Sequence, residues 1–113
     1  MSEYVRRRAA DQFGFVTCPL CGKRLHWKEA QNMHYVSRAH MNTRFDLRNC
    51  LAGDYSCNIA RNGNYPRYTQ YLLATHGLEW LQTLIHDGDT VRKWSPEELK
   101  GEIARFKQLL LTV

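Results

Sequence analysis

A chain of 113 residues, 43% hydrophobic and 24% charged, suffices for one domain with a modest core and is too short for two of ordinary size. No apolar run approaches the roughly 20 residues that span a bilayer, and no apolar stretch follows the N-terminal arginines, which argues against a signal peptide and against a membrane partner. The chain is therefore expected in the cytoplasm, where thiols stay reduced and clustered cysteines favour a metal over a disulfide.

The net charge of +5 is unevenly spread, since residues 1–67 carry eleven Lys/Arg against five Asp/Glu and residues 68–113 five against six. The basic part also holds all four cysteines. A positive surface beside a candidate site points to a polyanion, with nucleic acid as the first expectation.

Residues 2–12 read as a helical turn or two carrying Arg6, Arg7 and Arg8, either an arm for phosphate or a solubilising end. Phe13 to Thr17 is aromatic and β-branched, a strand leading into Cys18-Pro19-Leu20-Cys21-Gly22. Two cysteines three apart on a tight turn aim both sulfurs at one ion, and Gly22 permits the positive φ that such a turn needs. A redox pair calls for a surrounding βαβ pattern, which this stretch lacks, so structural zinc is expected. Leu25 to Lys28 is the return strand, with His26 either an extra metal ligand or a surface residue of that hairpin.

Gln31 to His40 reads as a second extended segment, alternating Met33, Tyr35 and Ala39 against His34, Val36 and Arg38. Asn42 to Gly53 is polar and turn-rich. Asp54 is expected to cap a short helix through Arg61, which Asn62-Gly63-Asn64 stops. The remainder reads as all-helical. One helix opens at Tyr65-Pro66 and ends at His76-Gly77. A second carries Leu78, Leu81, Leu84 and Ile85 and stops at Asp87-Gly88-Asp89. A third starts at the capping box Ser95-Pro96-Glu97-Glu98 and aligns Leu99, Ile103, Phe106 and Leu110 on one face.

Cys18, Cys21 and Cys57 supply three thiolates, and tetrahedral structural zinc wants a fourth ligand. Asp54 stands three before Cys57, where a second knuckle would place its first cysteine, and is the first choice; Cys50 is the alternative. Such an ion staples the strand pair to the helix and adds folding free energy directly. Hydrolysis of a phosphodiester needs an activated water, charge stabilisation on the phosphoryl oxygens and help for the leaving oxygen. His34 offers a general base near neutrality. Asn58, beside Cys57, presents an amide oxygen suited to a hard divalent ion, and Asn62 lies one turn on. Asn49 holds the loop through side-chain hydrogen bonds and so orients His34. His40 is a second base or ligand, and Arg38, Arg44, Arg48 and Arg61 contact phosphates.

His34, Asn49 and Cys57-Asn58 resemble the HNH endonuclease pattern of histidine, asparagine, then C-x-x-C followed by His or Asn. Met33-His34-Tyr35-Val36-Ser37-Arg38, Thr43-Arg44-Phe45-Asp46-Leu47-Arg48-Asn49 and Cys57-Asn58 are more closely similar to the NinG (Rap) recombination proteins of lambdoid phages. This likeness continues through Asn62-Gly63-Asn64 to Gly77-Leu78-Glu79-Trp80-Leu81. The resemblance implies a phage-encoded endonuclease with a structural Zn²⁺ and a catalytic Mg²⁺ or Mn²⁺, acting on Holliday junctions and D-loops. It implies an α+β fold, a zinc-stapled ββα-metal core over residues 13–64 with a helical half over 65–113, in a single domain of residues 1–113. Two positions depart from the pattern: Asp54 stands where the family has Cys, and Met33 where many HNH enzymes carry a metal-binding Asp. Junction symmetry suggests a homodimer, with the helical half as interface. The rival reading of these residues is a non-catalytic zinc-ribbon module that binds DNA or a replication or recombination protein.

Overall fold

Val16 and Leu25 are buried between more exposed neighbours, so the segments flanking the knuckle form strands with one buried side. In the computed structural model, which describes residues 1–113, β1 (Phe15–Thr17) and β2 (Arg24–His26) are antiparallel, with Val16 opposite Leu25. A second two-stranded sheet pairs β3 (Gln31–His34) with β4 (Cys50–Gly53), placing Met33 opposite Leu51 and His34 opposite Cys50. The architecture is α+β, with small sheets and helices.

β4 was not expected, because four residues within a turn-rich stretch show no alternation of their own; their ladder partner lies elsewhere in the chain. β3 also ends at His34 rather than His40. From Tyr35 onward Asn49 replaces the strand ladder. The Asn49 carbonyl accepts from Tyr35 N–H at 3.0 Å, and its side-chain oxygen from Val36 N–H at 2.7 Å. Its amide nitrogen donates to the Val36 and Thr43 carbonyls at 2.9 and 3.3 Å. Those bonds bend the backbone into the loop that follows.

The two faces of the β3–β4 sheet build two cores. Met33 packs with Cys18, Leu20, Cys57, Tyr68, Leu72 and Leu81. On the other face, Cys50 and Ala52 pack with Val16 and with Val5 of α1 (Ser2–Arg8). The arginines of α1 are neither a free arm nor a frayed end. Arg6, Arg7 and Arg8 donate to the carbonyls of Trp27, Val113 and Cys50 at 3.2, 3.1 and 3.3 Å, tying the helix down.

The helix expected over residues 54–61 is a single π turn, Ser56–Ala60. It stops because Asn62, Gly63 and Asn64 are all left-handed, with φ of 49, 85 and 49°. α2 (Tyr65–His76) follows with proline in its first turn, and Gly77 at φ 88° separates it from α3 (Leu78–Asp89). Gly88 lies inside α3 instead of ending it. A Cβ there would meet Val36 at 2.8 Å, so the missing side chain lets the helix approach the loop. α4 (Pro96–Leu110) begins with the reciprocal bonds of Ser95 and Glu98, both 3.1 Å. No helix is long and apolar enough to cross a membrane.

Tyr68 joins α2 to β3: its ring is fully buried, and its hydroxyl donates to the Met33 carbonyl at 3.0 Å. Removing that hydroxyl leaves a buried carbonyl unpaired. Tyr68→Phe is expected to lower the unfolding free energy by about 1–2 kcal/mol, read from urea denaturation; an unchanged midpoint contradicts the assignment.

Candidate metal centre and adjoining cleft

Cys18 and Cys21 come from the turn between β1 and β2, and Cys57 from the π turn. Their three Sγ atoms lie within 4.8 Å of one another. Zinc bonded to sulfur at about 2.3 Å in a tetrahedron would space the sulfurs about 3.8 Å apart, so the cluster is close to what that ion requires. Burial acts to raise the Cys18 thiol, but N–H groups of Asp54, Leu20 and Cys21 directed at its sulfur outweigh it and leave it below the ordinary value. Desolvation pushes Cys21 up to about 11, although the residue is exposed, because its sulfur faces the other two. A cation among the three favours the thiolates, so loading releases protons. The donor set fits zinc.

Neither expected fourth ligand joins the sulfurs. The Asp54 carboxylate lies outside the cluster, where it accepts from the Ser56 hydroxyl and sits 3.6 Å from the Lys23 ammonium. The Ser56 hydrogen bond, followed by Lys23, holds its pKa below the usual carboxylate range against the opposing effect of burial. Cys50 belongs to the core beneath α1, and burial pushes its thiol up to about 12. Asn64, expected only as part of the helix stop, has a left-handed backbone that brings its amide 3.7 Å from the Cys57 sulfur, where it donates.

Asn58, the residue after Cys57, lines a cleft of about 390 Å³ together with His34, Arg38 and Asn62. Asn58 follows Cys57 on the π turn and is anchored by its amide nitrogen, which donates to Gln31 Oε1 at 3.3 Å. Its amide oxygen is therefore free of that bond. His34 Nε2 lies 2.9 Å from the Arg44 carbonyl. A carbonyl only accepts, so we assign the proton of the neutral ring to Nε2 and the lone pair to Nδ1. Burial, with smaller contributions from Arg38 and Arg44, lowers the His34 pKa below its ordinary value despite the Arg44 carbonyl. The lowered value favours the neutral ring near pH 7. Asn32 also lines the cleft, and period-two alternation from His34 would have placed it on that face.

The other expected site residues divide. Asn49 is fully buried and bonds the loop as described, without lining the cleft. His40 does not line it either: its Nδ1 donates to the Gly88 carbonyl at 2.8 Å. Arg48, expected on a phosphate, bridges Asp46 and Asp87 at 2.6 and 2.7 Å, its charge offset by two carboxylates. Arg44 stacks over Phe45 with its guanidinium 5.7 Å from the ring. Arg61 is exposed and lies outside the cleft lining. The helical half holds this loop in place, since Asn42 donates to the Asp87 carbonyl at 2.9 Å and Trp94 to that of Met41 at 2.8 Å.

The family model described as Bacteriophage Lambda NinG protein matches residues 1–113. The chain belongs to the NinG family. No curated protein and no solved structure matches it. The cysteine cluster and the cleft are thus features of a bacteriophage NinG-family chain.

The geometry predicts zinc content. Protein purified without chelator is expected to hold about one zinc per chain, falling below about half in Cys57→Ser and retained in Asp54→Ala. Elemental analysis by mass spectrometry measures this, and loss of zinc in Asp54→Ala makes that carboxylate a ligand after all.

Proposed function

We propose that this NinG-family chain is a metal-dependent DNA endonuclease of the HNH type, hydrolysing phosphodiesters in branched recombination intermediates such as Holliday junctions and D-loops. The observation that carries the reading is one cleft lined by an imidazole, a cation and four side-chain amides, one of which, Asn58, directly follows a cysteine of the cluster. His34 is suited to take a proton from water at Nδ1, because the Arg44 carbonyl occupies Nε2. Arg38 is exposed at the cleft and makes no ion pair, so it is suited to hold a phosphate. The amide oxygens of Asn58 and Asn62 would hold Mg²⁺ or Mn²⁺, which supplies charge neutralisation at the phosphoryl group. Zinc at Cys18, Cys21 and Cys57 would keep the π turn, and with it Asn58, in position. Two chains on a symmetric junction form the assembly this reading expects.

A second reading has its own support. None of the eleven residues lining the cleft is a carboxylate, and Met33 next to His34 is fully buried in the core. A divalent ion there would rest on neutral ligands, which favours a zinc-ribbon module that binds DNA or a recombination protein without cutting.

Cleavage separates the two. With Mg²⁺ or Mn²⁺, a labelled four-way junction is expected to be cut in preference to a matched linear duplex, and chelator to abolish cutting. His34→Ala should lower the rate by about 10²-fold or more while leaving junction affinity within about two-fold. Absence of cleavage with every metal, or cleavage indifferent to His34→Ala, rejects the nuclease reading.

The pH profile is a further check. A protonated imidazole cannot accept a proton, so log kcat/KM should fall on the acid side. Because the folded protein lowers the pKa of His34, that fall should be centred below about 6.5, the ordinary imidazole value. A midpoint above it argues against His34 as the base.

A further inference from the structure

The β1–β2 hairpin carries a second surface that the cleft chemistry does not use. Phe13 is 70% exposed and Phe15 39%, large apolar side chains left in water. They are held rather than free: Asp11 Oδ1 accepts the N–H groups of both, each at 2.9 Å, which fixes the turn that presents them. The buried side of β1 is Val16, packed with Val5 and Cys50, so Phe15 points away from that core. Phe15 lies opposite His26 in the strand register, the rings edge to face at 5.7 Å. Trp27 lies 5.8 Å from His26 but packs against the Val5–Val16 core with the guanidiniums of Arg6 and Arg7 over its ring, so the exposed row ends at His26.

Cations are set along the same row. The Arg24 guanidinium lies 4.9 Å from the Phe15 ring, where Asp11 holds it at 2.9 Å, and the exposed Lys28 follows His26 by two residues, its backbone N–H donating to His26 Nδ1 at 3.2 Å. Rings that offer a π-face, interleaved with cations, are what successive bases and their phosphates recognise, without preference for sequence. α1 connects the hairpin that bears this row to the cleft, since Ser2 lines the cleft while Arg6 donates to the Trp27 carbonyl. Those two residues are about 6 Å apart along the helix axis.

We propose that the row of Phe13, Phe15 and His26 is a stacking platform for the unpaired bases of single-stranded DNA, with Lys28 on its phosphates and Arg24, paired with Asp11, stacked on Phe15. The choice of DNA over RNA rests on the nuclease reading; the stacking does not. A branched substrate has unpaired or distorted bases next to its cleavable phosphates, so platform and cleft would engage neighbouring parts of one molecule.

Fluorescence anisotropy on the zinc-loaded full chain tests this, with labelled oligothymidine, an abasic oligomer of the same length, a duplex, and oligouridine. The wild-type chain is expected to bind oligothymidine about ten-fold or more tighter than the abasic strand, which keeps the phosphates and lacks the bases. Phe13→Ala combined with Phe15→Ala should lose most of that difference while leaving abasic and duplex binding within about two-fold. The corresponding tyrosine variants should retain it. Phe13→Ala alone, at the more exposed ring, should lose part of it, and unchanged zinc content and circular dichroism show that folding is intact. Equal affinity for oligothymidine and the abasic strand overturns the proposal, as does a loss in the alanine variants that is equal on duplex. Tighter binding of oligouridine than oligothymidine assigns the row to RNA and overturns it as stated. Base-dependent binding without junction cleavage leaves the platform standing and removes the nuclease; cleavage without base-dependent binding does the reverse.

Discussion

The buried amide of Asn49 sets the conformation on which the cleft depends. Its two side-chain atoms satisfy three backbone groups between Val36 and Thr43, and its carbonyl takes a fourth at Tyr35. No water reaches this side chain, so each group would otherwise be left unpaired in the interior. The bonds end β3 immediately after His34 and return the loop so that the Arg44 carbonyl meets the imidazole. One asparagine therefore governs where the strand stops and which ring nitrogen keeps its lone pair.

The cysteines constrain the other wall. Cys57 lies in the same core as Met33 and Tyr68, so the first residues of the π turn are held between a sheet and a helix. Asn58 is the next residue, and its direction follows from the packing of its neighbour together with Gln31. The turn cannot lengthen into an α-helix because three left-handed residues follow it. That limit keeps Asn62 at the cleft and brings Asn64 back to the Cys57 sulfur. A metal among the thiolates adds its free energy to an arrangement that hydrogen bonds and packing have already brought close.

Charge is used in two different ways. Arg6, Arg7, Arg8 and Arg48 hold the chain together through carbonyls and carboxylates, although by count they contribute much of the basic character of residues 1–67. Arg38 at the cleft and Lys28 on the β1–β2 hairpin are exposed and make no ion pair, while Arg24 is exposed with Asp11 as its partner. The total charge thus overstates the surface available to a polyanion, and the location of the outward cations says more about where one would lie.

Features that depend on a few neighbouring residues were legible in the sequence. The spacing of Cys18 and Cys21, proline at the start of α2, the glycine after His76 and the reciprocal cap of Ser95 and Glu98 each act through bonds or φ limits within one turn. The pairing of Cys50–Gly53 with β3, the use of the arginines of α1 as tethers and the bridge from Arg48 to Asp87 depend on partners well separated along the chain. So do the direction of the Asp54 carboxylate toward Lys23 and the gathering of His34, Arg38, Asn58 and Asn62 at one cleft. The sequence by itself determined the knuckle, both ends of α2, the capped start of α4 and the candidate residue types, because local geometry allows them few alternatives. Tertiary structure alone decided which of those residues share a surface, because burial and hydrogen bonding between distant segments choose the side chains that are used up inside and those left facing out.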